Sequence, residues 1–131
     1  MNLAILSRKA GTALKAKGKT LATAESCTGG WVAQAITSIA GSSDWFERGY
    51  VTYSNAAKRE ALGVSKKTLA RYGAVSEPTA RAVARGALKV IGDRPVDLVA
   101  QPVLDEVRDQ RAHAAQLSVA ERVLRPRLGH Q

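Results

Sequence analysis

The sequence predicts an α/β domain, with helices on both faces of a mixed sheet in three α/β/α layers. Three observations predict it. Short apolar or β-branched runs at 21–24, 49–53 and 96–100 alternate with longer stretches of helical periodicity. The chain has 131 residues and is 45% apolar, which suffices for one core and one domain. Aromatic residues make up only 5%, and alanine is abundant, as suits helices lying close on a sheet.

The elements follow in order. Residues 2–17 place Leu3, Leu6, Ala10 and Leu14 three or four apart among cations, which predicts an amphipathic helix ended by Gly18. Residues 21–24 form the first strand. Small residues and two glycines, Gly29 and Gly30, then lead into a helix over 31–39, with Trp31, Ala35 and Ile39 on one side and Thr28 as a candidate cap. Gly41 punctuates, and 44–47 reads as a short helical turn. Gly49 to Tyr53 is rich in β-branched and aromatic residues and reads as the second strand. A helix over 56–62 follows, capped by Ser54 or Asn55 and closed by Gly63. Ser65 opens a short helix ending near Gly73. Ser76 caps a long one reaching Ile91, with Pro78 tolerated in its first turn. Residues 96–100 form the third strand.

The formal net charge is +9. Residues 1–20 carry five cations and no acid, residues 51–95 carry nine cations against three acids, and the segment from 96 is balanced at five of each. Such a surface attracts phosphorylated metabolites or nucleic acid. No basic–aromatic interleaving or zinc-finger spacing accompanies the charge, so a small anionic substrate ranks above nucleic acid. The single cysteine, Cys27, excludes an internal disulfide and fits a reducing cytosol. With one Cys and two His, no Cys/His metal site is expected, and no segment has the length and apolarity of a membrane span. A homo-oligomer is left open.

The strand-to-helix turn at 25–30 is where chemistry is expected. A strand that turns sharply through small residues lifts one side chain, Ser26, out of the sheet and aims free N–H groups at whatever binds there. A serine hydroxyl needs activation. The two histidines, His113 and His130, both lie beyond residue 100, which disfavours a histidine base. The alternative is a lysine or tyrosine base. Lys58 stands one helical turn beyond the end of the second strand, and Tyr53 ends that strand. Both strand ends would meet at one edge of the sheet, where α/β ligands usually bind. Cys27 is the rival nucleophile, although a small buried thiol is the commoner role. Glu25 orients a base or caps the following helix, the cap being the simpler reading.

These segments also resemble a known family. Ala24-Glu25-Ser26-Cys27-Thr28-Gly29-Gly30, then Gly41-Ser42-Ser43, then Gly49-Tyr50-Val51-Thr52-Tyr53-Ser54-Asn55-Ala56-Ala57-Lys58, then Leu62-Gly63-Val64, then Tyr72 to Pro78 are similar in order and spacing to the CinA C-terminal domain family. The resemblance covers roughly residues 1–100. It implies a cytoplasmic amidase that hydrolyses nicotinamide mononucleotide to nicotinic acid mononucleotide and ammonia, in pyridine-nucleotide recycling. It implies Ser26 as nucleophile with Tyr53 and Lys58 as the activating pair. Glu25, Thr28, Gly29, Gly30, Ser54 and Asn55 would bind the substrate, a small phosphorylated nucleotide, without metal or organic cofactor.

After residue 100 the pattern departs. The family continues with a glycine-rich loop, further strands and a last helix. Here Gln101-Pro102-Val103 and an Ala/Arg-rich stretch stand instead, expected as a mainly helical or disordered tail over 101–131 that leaves the sheet incomplete. A change of reading frame would produce such a tail, and an intact frame on sequencing the coding region would dismiss it. The alternative function is therefore a catalytically inactive relative that binds a nucleotide or a protein.

Overall fold

The computed structural model describes residues 2–100. Helix α1 spans Leu3–Ala16, and the Asn2 side chain caps it by accepting the Ile5 N–H at 3.2 Å. Its packed face differs from the expected one. Leu3 and Leu6 are 43% and 53% exposed, whereas Ser7 and Gly11 are buried. The reason is Trp45, whose ring fills the space beneath the helix. A Cβ on Gly11 would stand 2.4 Å from that ring, so α1 approaches through its smallest residues.

Strand β1 (Thr20–Glu25) is the centre of a three-stranded sheet ordered β2-β1-β3, with β2 at Phe46–Val51 and β3 at Val96–Ala100. Every β1 residue from Leu21 to Glu25 is buried, as a strand covered on both faces must be. Both pairings are parallel, so the described strands contain no antiparallel pair where a mixed sheet was expected. Helical crossovers return the chain in one direction each time.

Alternation along β1 divides the layers. Ala22 and Ala24 join Leu98 and the buried residues of α3 (Asn55–Leu62), α4 (Lys66–Tyr72) and α5 (Glu77–Ile91) in one core. Thr23 and Glu25 face α2 (Trp31–Thr37) on the other side. Ser54, Ser65 and Ser76 cap α3, α4 and α5, each accepting an N–H three residues on. Helices α3 and α5 approach backbone to backbone at Gly86, where a Cβ would stand 1.9 Å from the Leu62 carbonyl oxygen.

Strand β2 begins and ends earlier than the expected 49–53. A 3-10 turn at Ser42–Asp44 delivers Trp45 inward, and the strand starts at the next residue. Tyr53 therefore lies beyond the strand, 68% exposed. The expected tail over 101–131 lies outside the described residues. No helix among the described residues is long and apolar enough to cross a membrane.

Candidate active site

The site begins where β1 stops. Glu25 is the last strand residue and Ser26 is the first of the turn. Gly29 and Gly30 take φ values of +61° and +97°, a left-handed backbone that favours glycine, and α2 starts directly after them. Gly30 offers no side-chain cap to that helix. The carboxylate of Glu25 supplies one from below. It accepts the Val32 N–H at 2.8 Å and the Ala33 N–H at 3.1 Å. It also accepts the hydroxyls of Thr28 at 2.8 Å and Thr23 at 3.3 Å. Glu25 is 1% exposed, and these four donors occupy both of its oxygens. The structure thus places Glu25 beneath the turn as a cap, with both oxygens engaged by protein donors. Thr28, weighed as the cap, instead donates to Glu25.

The second half of the site comes from the end of β2. The Thr52 N–H donates to the Glu25 carbonyl at 2.9 Å, which carries the β1–β2 ladder one residue past the strand. Ser54 then caps α3, and Lys58 falls one turn into that helix. Lys58 is 2% exposed. Its Nζ donates to Ser26 Oγ at 3.1 Å and to the Tyr53 carbonyl at 2.9 Å. Among the described residues no carboxylate pairs with it. Burial accordingly pushes its pKa below the ordinary lysine value, with Cys27 acting in the opposite direction. A lysine whose burial disfavours its charged form, at hydrogen-bond distance from a serine hydroxyl, is suited to take that proton.

The expected residues are therefore sorted by the fold. Ser26 and Lys58 are brought together. Tyr53 joins them through its backbone carbonyl, while its side chain lies open to solvent. Thr28, Gly29 and Gly30 form the turn beside Ser26, Ser54 serves as a cap, and Asn55 is exposed on the first turn of α3. Cys27 is a free, half-buried thiol. Sequence reasoning passed over Thr52, which is 2% exposed and whose hydroxyl has no partner among the described residues. Its place in the β-branched run 49–53, next to Tyr53, was the available signal.

Comparison with known proteins places the chain among relatives. A family model described as the CinA C-terminal domain matches residues 4–94. The nicotinamide-nucleotide amidohydrolase PncC of Escherichia coli K12 is 66% identical over 84 residues, covering 64% of this chain and 51% of that protein. The PncC of Enterobacter agglomerans is 62% identical over 87 residues, or 53% of its length. The chain thus spans about half the length of the curated relatives it matches. A crystal structure of a CinA superfamily protein from Klebsiella pneumoniae superposes with a TM-score of 0.69 at 26% identity, covering 94% of this chain and 98% of that one. A competence/damage inducible protein from Agrobacterium tumefaciens gives 0.65 at 50% identity, covering 67% of this chain and 53% of that one. With a match that runs unbroken from α1 to the turn before β3, this chain belongs to the CinA C-terminal domain family.

Proposed function

We propose that this chain is a serine amidohydrolase that releases ammonia from the carboxamide of nicotinamide mononucleotide. The observation that carries the reading is the buried Lys58 amine 3.1 Å from Ser26 Oγ. The neutral amine takes the Ser26 proton as Oγ attacks the carboxamide carbon. The other backbone N–H groups of the turn at 27–30 face the developing oxyanion, that of Gly29 being donated to the Ser26 carbonyl at 2.9 Å. Lys58 then gives its proton to the departing ammonia. Water, deprotonated by the same amine, hydrolyses the acyl-serine to nicotinic acid mononucleotide and regenerates Ser26. The formal charge of +9 suits a substrate bearing a phosphate, and the relatives named as nicotinamide-nucleotide amidohydrolases support that substrate. A free cysteine suits a cytosolic setting.

The test is ammonia release from nicotinamide mononucleotide by the full chain beside Ser26→Ala. Loss of about 10³-fold or more in kcat is expected on removing the nucleophile. Undiminished release by the mutant would remove the serine mechanism.

A further inference from the structure

Thr52 is a buried hydroxyl without a hydrogen-bond partner among the described residues. Native structures keep few such groups, and each asks for a reason. Its surroundings supply one. Its N–H is held at 2.9 Å by the carbonyl of Glu25, the residue before Ser26. Its own neighbour, Tyr53, gives the carbonyl that holds Lys58 Nζ at 2.9 Å. Thr52 thus stands next in the chain to one anchor of the amine, the Tyr53 carbonyl, and is hydrogen-bonded to the residue that precedes the other, Ser26. Side-chain alternation along β2 puts it on the α3 side of the sheet. Gly30, at the head of α2, lies against Val51, where a Cβ would meet Cγ2 at 3.4 Å, while Tyr50 packs on the core beneath α3 and α5.

The donor count of the amine completes the argument. As an ammonium, Lys58 has three N–H groups, of which Ser26 Oγ and the Tyr53 carbonyl take two. As a base, the amine has two N–H groups and one lone pair. The lone pair must face the Ser26 hydroxyl, and the Tyr53 carbonyl takes one N–H. One N–H is left to be fixed, and if it is free the lone pair swings away from Ser26.

We propose that Thr52 is a positioning residue, whose hydroxyl accepts the remaining N–H of the neutral Lys58 amine and so directs the lone pair at Ser26 Oγ. A turn about χ1 moves the hydroxyl between staggered wells while the methyl group takes its former place. The proposal rests on the serine–lysine pair of the reading above.

The experiment compares full-length wild type, Thr52→Val and Thr52→Ser by three measurements. The first is kcat and KM for ammonia release from nicotinamide mononucleotide. The second is the rate at which a fluorophosphonate labels Ser26, which needs no particular amide substrate. The third is the melting temperature. Thr52→Val is expected to lower kcat and the labelling rate by about 10–100-fold, with KM within about twofold. Its melting temperature is expected to equal or exceed that of wild type, because an unpartnered buried hydroxyl is replaced by an isosteric methyl. Thr52→Ser is expected to restore both rates. Wild-type rates in Thr52→Val overturn the proposal, as does a loss of rate that tracks a lowered melting temperature and is not rescued by serine. Wild type that labels at Ser26 but releases no ammonia removes the amidase reading, and the labelling rates then decide the role of Thr52. Wild type that neither labels nor releases ammonia overturns both.

Discussion

Replacing Glu25 by glutamine separates a cap from a substrate ligand. The carboxylate takes four donors, Thr28 Oγ1 and Val32 N on one oxygen and Thr23 Oγ1 and Ala33 N on the other. Glutamine keeps one oxygen and turns the other into an NH2. Whichever way the amide is turned, its NH2 confronts one hydroxyl and one backbone N–H. The hydroxyl can rotate and accept, but the N–H cannot. One buried backbone donor is thus stranded, at about 1–3 kcal/mol. Loss of the negative charge at the start of α2 adds roughly 0.3–1 kcal/mol. The expected destabilisation is about 1.3–4 kcal/mol, a fall in melting temperature of roughly 5–20 °C for a domain of this size. Ser26 is the next residue, so kcat should fall with the disordered turn while KM stays nearly constant. A thermal melt and a substrate titration on Glu25→Gln check both. An unchanged melting temperature with KM raised tenfold or more would put Glu25 in contact with substrate and refute its role as a cap.

Two further outcomes follow from the packing. Burial lowers the pKa of Lys58 in the folded state, so between its folded and unfolded values the unfolded chain binds the extra proton, and stability rises with pH through that window. Lys58→Met should abolish turnover, melt higher than wild type below the window, and lose that part of the pH dependence; melting curves of both proteins from about pH 7 to pH 10 would show whether the difference closes as pH rises towards the lysine value near about 10.4. Gly86→Ala should cost about 1–3 kcal/mol or more, because its Cβ would stand 1.9 Å from the Leu62 carbonyl and force α3 and α5 apart; a melting temperature within about 2 °C of wild type would contradict that close approach.

Much of this fold was legible because its signals are local. Serine caps at Ser54, Ser65 and Ser76, glycine stops at Gly63 and Gly92, and apolar runs at 21–24 and 96–100 each act within one or two turns of chain. What was not legible depends on distant partners. The periodicity of 2–17 predicted a helix, but only Trp45, 34 residues beyond Gly11, decides that the small face packs inward. The same tryptophan moves the start of β2 ahead of Gly49. In the site, Ser26 and Lys58 could be named from residue type and position. The cap role of Glu25 was the simpler reading of its place before a helix, and the N–H groups of Val32 and Ala33 fill it; the contact of Tyr53 could not be named, because it is made by a backbone carbonyl, which no side-chain pattern encodes.

The meeting of Ser26 with Lys58 across 32 residues is a consequence of topology. Parallel register pairs Glu25 with Val51, so β1 and β2 end flush at the same edge of the sheet. The two chains then part. Beyond β1 the chain enters α2, on the face of Thr23 and Glu25, and beyond β2 it enters α3, on the face of Ala22 and Ala24. A crevice opens between helices that leave a parallel sheet on opposite faces, the general place for ligands in such sheets. Ser26 heads one branch and Lys58 reaches back from the first turn of the other. Every hydrogen bond described for the pair, and for Glu25 beneath it, comes from residues 23–58. Two consecutive strand–helix units are therefore enough to set Ser26 against Lys58, and β3, paired to β1 on its other side, buttresses that geometry without entering it.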